Sequence, residues 1–197
     1  MGLTPLWTAL VGLVLGQTPA QAMTTFDLRA SIAADDAGQP VAEAAWLAAE
    51  VDSARALFAP FGVGFAQIAG APLDARFAHV ETRADRNAFA SHVAPHAIDV
   101  FVVGSLRDVD DPRQTRRGVH WHAPSGAHYI VLIASAHPTV LAHELGHYFG
   151  NPHSPVVDNV MSYERSGAAV FFDADQGKRI AARAHAYAQS GELLVVP

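Results

Sequence analysis

The stretch Leu141-Ala142-His143-Glu144-Leu145-Gly146-His147-Tyr148-Phe149-Gly150-Asn151-Pro152-His153-Ser154 places three histidines, one glutamate and two glycines within fourteen residues. His143 and His147 lie four apart, so a helix projects both from one face, one turn apart. Imidazole nitrogens in that relation suit a single Zn2+ at about 2.0–2.1 Å. Glu144 sits beside the first ligand, where it can reach a metal-bound water without displacing a ligand. Gly150 offers a positive-φ exit from the helix, which brings His153 back as a third ligand. Three neutral ligands leave one tetrahedral corner open, the mark of a catalytic zinc rather than a structural one. H-E-x-x-H alone is a modest signal; followed by x-x-G-x-x-H it is a strong one.

Around this stretch the chain reads as one layered domain. Pro138 suits the first turn of the His-rich helix, where its missing N–H costs nothing. Upstream, residues 24–33 alternate Phe26, Leu28 and Ala30 with polar neighbours, as a strand does. Residues 41–58 carry Trp46, Val51, Ala54, Leu57 and Phe58 near helical spacing, and Pro60 and Gly62 stop that helix. Residues 62–70 predict a second strand and residues 83–93 a short second helix. Residues 97–106 form a continuous β-rich run, as in a strand covered on both faces. Residues 118–124 alternate up to Pro124-Ser125-Gly126, and residues 128–135 form another buried strand. Downstream, Asp173 with Gln176 makes a capping-box start for a last helix ending near Gly191. This order predicts an α+β (α/β-like) domain with the His-rich helix packed on a sheet.

The segment from His143 to His153 resembles the elongated zinc motif of the metzincin metallopeptidases. That family also places a methionine turn under the metal, and Asn159-Val160-Met161-Ser162-Tyr163 supplies one. Met161 follows His153 by eight residues and Ser154 directly follows the third histidine, which is similar to matrixins. Tyr163, two residues after Met161, is instead similar to astacins and serralysins, where a tyrosine at this place ligates zinc and swings away. The resemblance is specific over residues 136–163. It implies a metzincin-type zincin fold, with a twisted mixed sheet, an antiparallel edge strand, an active-site helix and a C-terminal helix. It also implies His143, His147 and His153 as zinc ligands and Glu144 as general base. Tyr163 would be a ligand or oxyanion donor, and Met161 an apolar floor beneath the ligands. A peptide substrate would add as a strand along Gly118-Val119-His120-Trp121-His122.

Matrixin-like proteins carry a structural zinc in this region too. His120, His122 and His128 would serve such a second metal, although the matching acidic ligands are absent. Solvent-facing or substrate-contacting histidines are the commoner case. Residues 107–112 and 113–118 read as a solvated turn and a basic loop face.

Composition bounds the rest. The chain has 197 residues, half of them hydrophobic and 16% charged, enough for one core and too few for two ordinary domains. A net charge of −6 provides no basic field for nucleic acid or an anionic membrane. The absence of cysteine excludes disulfides, a thiol nucleophile and thiolate ligands. Residues 6–15 are apolar and run into Ala20-Gln21-Ala22, which fits the small-x-small cleavage rule. Ten residues is about half of what a membrane-crossing helix needs. The expectation is a signal peptide at 1–22, a single catalytic domain at 23–197, and export to the periplasm or medium without stable membrane insertion. Two other functions fit the same residues. A homologue that binds peptide or metal without cutting would have no need of Glu144, and a zinc amidase acting on a non-peptide amide would have no need of the edge strand.

Overall fold

A computed structural model describes residues 23–197, so the apolar segment and cleavage-like tripeptide lie outside the described residues. In chain order the elements are β1 (Thr24–Ile32), α1 (Ala44–Phe58), β2 (Val63–Ala69), β3 (His79–Val80), α2 (Arg83–Ala88) and β4 (Ile98–Val103). There follow β5 (Ser105–Leu106), β6 (Gly118–His122), β7 (His128–Ile133), α3 (Val140–Tyr148), α4 (Ala174–Ser190) and β8 (Val195–Val196).

The main sheet runs β2-β1-β4-β7-β6, with β8 paired to β1. β1, β2, β4 and β7 are parallel to one another, and β6 is antiparallel to β7 at the edge. Strand alternation divides the core in two. Phe26, Leu28, Val100, Val102, Ile130 and Leu132 face α1, α3 and α4, while Phe101, Val103, Tyr129 and Val131 face Phe77 and Phe89. β4 is buried on both faces, which is why its sequence is apolar except for Asp99, whose buried carboxylate accepts Arg29 Nε at 2.6 Å. On β6 the same alternation turns Val119 and Trp121 to the second core and leaves His120 and His122 on the α3 side.

α1 buries Leu47, Glu50, Val51, Ala54 and Phe58 along one stripe. Phe58 meets Phe65, Phe149 and Phe172 at centroid distances of 5.1, 5.6 and 5.1 Å. These contacts pin the end of the His-rich helix, since Phe149 directly follows it. α4 begins with the capping box of Asp173 and Gln176 and ends on Gly191 at φ +73°.

Three details depart from the sequence expectation. Residues 97–106 form two strands, because after Gly104 the chain leaves the main sheet. There β5 pairs with β3, and both Gly104 N–H and Ser105 N–H bond the carbonyl of Ala78. β8 adds a short antiparallel pairing on β1 that its sequence did not announce. Pro138 stands in a turn before α3, not within it; the Val140 N–H bonds His137 O at 2.8 Å and the helix starts at Val140.

No local side chain caps α3. Instead the buried carboxylate of Glu50, from α1, accepts the Leu141 N–H at 3.0 Å. Burial pushes the Glu50 carboxyl up to about 7 from an ordinary 4.5. The folded state therefore binds this proton more tightly than the unfolded chain. Stability from Glu50 is greatest below pH 4.5 and declines as pH rises to 7, by about 3 kcal/mol in all. Glu50→Gln keeps an acceptor for Leu141 without a charge to bury. Its stability relative to wild type, by urea unfolding, is expected to rise between pH 5 and pH 8; a difference constant with pH would contradict the assignment.

Candidate functional site

α3 projects His143 and His147 from one face, with ring centroids 4.8 Å apart. Each ring is oriented by a backbone carbonyl: His143 Nδ1 donates to Val160 O at 2.7 Å, and His147 Nδ1 to Asn151 O at 2.8 Å. A carbonyl only accepts, so both protons sit on Nδ1 and both Nε2 lone pairs are free. Gly150 takes φ +87° after the helix, and the returning chain brings His153 Nε2 to 3.1 Å from His147 Nε2. Ser154 N–H then bonds Met161 O at 2.9 Å, clipping that chain to the following turn.

The donor set fits a tetrahedral cation. One donor atom from each of His143, His147 and His153 lies within 4.8 Å of the other two. The 3.1 Å separation is close to the edge of about 3.3 Å that ligands at 2.0–2.1 Å would have. Burial pushes His143 down to about 4 and lowers His147 and His153 also, which favours the neutral rings that metals bind.

The turn at Met161 lies beneath this set. Met161 is fully buried, and a Cβ on Gly146 of α3 would collide with its sulfur, so Gly146 permits the close approach. Asn159 Oδ1 accepts the Met161 N–H at 2.9 Å, and its amide exchanges two bonds with Gln176 of α4, at 2.8 and 3.0 Å. Tyr163 is 68% exposed, so it is not a packed turn residue, and its hydroxyl stands 2.7 Å from His153 Nε2.

Glu144 is buried, and its Oε2 accepts the main-chain N–H of His120 at 2.7 Å. β6 therefore turns its outer edge toward the glutamate. Val119 and Trp121 alternate with Gly118, His120 and His122, so the latter three present main-chain groups away from β7. The His120 N–H is already engaged by Glu144. Burial raises the Glu144 carboxyl to about 8 against that hydrogen bond, and a neighbouring dication would act in the opposite direction.

These groups share a cleft of about 460 Å3 with Asp108 and Arg116. Asp108 is buried and accepts Arg116 Nε at 2.7 Å, so these two side chains belong to a wall of the cleft, while residues 112–117 are exposed, as expected of a loop face. A larger cavity of about 640 Å3 beside α2 contains a single histidine, His79, and none of these residues. Size does not mark the site here.

Sequence reasoning missed Asn151, whose carbonyl orients His147 while its Oδ1 accepts from Arg179 at 3.1 Å. It missed Arg165 as well, whose guanidinium donates to the carbonyls of Asn159, Val160 and Ser162 around the methionine turn. The Asn-x-His spacing from Asn151 to His153 carries no signal of such a role. His120, His122 and His128, offered for a second metal, do come together, with one donor atom each within 4.8 Å of the others.

No protein-family model matches the chain, and no curated protein does. Among solved structures it is similar to metalloproteinase-II from Bacteroides fragilis, with a TM-score of 0.57 and 14% identity over 85% of this chain and 55% of that one. It is also similar to a chain in the structure of a chaperone-substrate complex, with a TM-score of 0.53 and 14% identity over 89% of this chain and 40% of that one. The chain thus spans about half the length of the structures it matches. At these identities the likeness is one of fold. The mostly parallel sheet with an antiparallel edge strand and covering helices is consistent with a metzincin-like fold. Among the described residues, no helix is long and apolar enough to cross a membrane.

Proposed function

We propose that this protein is a zinc-dependent endopeptidase of the metzincin type, exported after removal of residues 1–22, with residues 23–197 as its catalytic domain. The observation that carries this reading is the convergence of His143, His147, His153, Glu144 and Tyr163 on one cleft beside a free strand edge. A protein that only binds has no use for a buried carboxylate at this place, and burying Glu144 is costly.

His143, His147 and His153 would hold Zn2+, which when bound would acidify a water and polarise the substrate carbonyl. Glu144 takes the proton of the attacking water and passes it to the leaving amine. The His120 N–H fixes its carboxylate between those two tasks. Tyr163, on an exposed turn, donates its hydroxyl proton to the oxyanion that develops on the scissile carbonyl. The outer edge of β6 binds the substrate main chain through the groups of Gly118 and His122 and the His120 carbonyl, so recognition is largely independent of side chains.

Tyr163→Phe is expected to retain metal and lower kcat by about a hundred- to a thousand-fold with little change in KM. A kcat equal to wild type would remove the tyrosine from the reaction. The class of substrate is tested by incubating the chain with casein and identifying new amino termini by mass spectrometry. Internal cleavage supports an endopeptidase. Casein left intact while a small acyl amide is hydrolysed would replace that reading with an amidase.

A further inference from the structure

Part of the cleft wall comes from α2 and from the loop before β6. Arg86 of α2 and Asp108, Asp110 and Arg116 of the loop all line it. Arg83, one turn before Arg86, pairs with Asp110. Three guanidinium groups thus share two carboxylates, and one positive charge is left over. Glu144, the other carboxylate of the lining, is taken up by the His120 N–H and the metal site. Arg86 feels the excess most directly. It is buried over the Trp121 ring at 4.9 Å, donates to the Arg107 carbonyl at 2.6 Å, and its Nε has no partner. Burial weighs most against its charge; Asp108 and Asp110 support that charge, and Arg116 and Arg83 oppose it.

The anions of this wall are engaged and the cations are not. Asp108 Oδ1 accepts the N–H groups of Asp110 and Asp111 at 2.8 and 3.3 Å. Its Oδ2 meets Nε and Nη2 of Arg116 at 2.7 and 2.5 Å. Those contacts occupy two of the five guanidinium N–H groups and leave the others for the cleft. The Arg116 side chain is 44% exposed, whereas that of Asp108 is 5% exposed. A buried carboxylate therefore fixes an accessible guanidinium, so a second anion binds it at little cost in ordering. Arg116 also stands close enough to Glu144, His153 and Tyr163 to act on the charge of each. A substrate strand along β6 turns alternate side chains to opposite faces. One set goes to the face of Val119 and Trp121, where Arg86 lies.

We propose that Arg116, held by Asp108 and backed by the charge of Arg86, determines specificity by binding a substrate carboxylate, an Asp or Glu side chain within two residues of the scissile bond. This rests on the endopeptidase reading above. A guanidinium–carboxylate pair combines charge with a matched geometry, and an Asn or Gln side chain in the same place forgoes the charge. The preference for acid over amide is expected to be about ten- to a hundred-fold, the usual worth of a hydrogen bond to a charged group. A Lys or Arg side chain there meets the uncompensated positive charge and is disfavoured.

The test is a peptide library randomised at four consecutive positions and read in two ways with the full, zinc-loaded chain. Wild type cuts it and the new termini are sequenced; Glu144→Gln binds it and the bound peptides are sequenced. Both readouts are expected to enrich Asp and Glu about ten- to a hundred-fold over Asn and Gln, in the first within two residues of the cut. Added salt should shrink the preference, because Arg116 is accessible to solvent. Arg116→Gln, alone and combined with Glu144→Gln, is expected to erase the enrichment. Arg116→Lys keeps the charge and should keep part of it, which a mere loss of loop structure would not allow. Equal use of acids and amides in both readouts, or an enrichment that survives in Arg116→Gln, would overturn the subsite. Cleavage without acidic enrichment would remove the subsite and keep the peptidase. Acidic enrichment among bound peptides that wild type never cuts would keep the carboxylate site and remove the peptidase, so the two proposals fail separately.

Discussion

Glu144→Gln is expected to keep the fold and the bound metal while lowering kcat/KM by about a hundred- to ten-thousand-fold, the range that a positioned base supplies. Glutamine is isosteric, and its carbonyl oxygen still accepts the His120 N–H that now ends on Oε2. What it cannot do is take a proton from water and return it to an amine. The variant also loses a carboxyl whose burial opposes ionisation, so its stability should equal or exceed that of wild type. Measured cleavage of a peptide substrate within tenfold of wild type would remove Glu144 from the role of base. Loss of metal along with activity would make it a ligand or a structural group instead.

His147→Ala is expected to have the second large effect, and on a different quantity. Its ring is one of three donors, and its removal leaves the Asn151 carbonyl without a partner. Zinc at a thousand times its Kd would stabilise a one-site protein by about 4 kcal/mol. In a domain of this size that is a rise in Tm on the order of 10 °C. His147→Ala should lose that share of the zinc-dependent rise and all hydrolytic activity. An equal rise in wild type and His147→Ala would place zinc somewhere other than His143, His147 and His153.

The parts of this molecule that were legible in its sequence are those encoded within a few residues. The i, i+4 spacing of His143 and His147, the glycine exit at Gly150, the capping box of Asp173 and Gln176 and the Gly191 terminus all act over one or two helical turns. β4 was legible because burial on both faces makes every one of its positions apolar but Asp99. What was hidden depends on residues far apart in the chain. The cap of α3 comes from Glu50, 91 residues before Leu141. Pro138 looked like a helix start because the local rule for proline is correct, yet that distant carboxylate and the turn at His137 set the boundary at Val140. β3, β5 and β8 have two residues each, too few for any periodic signal. Asp108 lies in an acidic, turn-like sequence, and its burial goes with a carboxylate held by the Asp110 N–H and by Arg116, eight residues on. The three histidines of β6 and β7 were visible as residues, but their convergence is a matter of strand register, and Glu192 reaches them from 64 residues away.

The most direct test of the account is degradation of casein by the purified chain before chelation, after complete removal of metal, and after return of Zn2+. The account predicts cleavage that disappears with the metal and returns with zinc in wild type, and that stays at background throughout in Glu144→Gln. Cleavage that persists in the metal-free protein, or that Glu144→Gln performs as well as wild type, would contradict it.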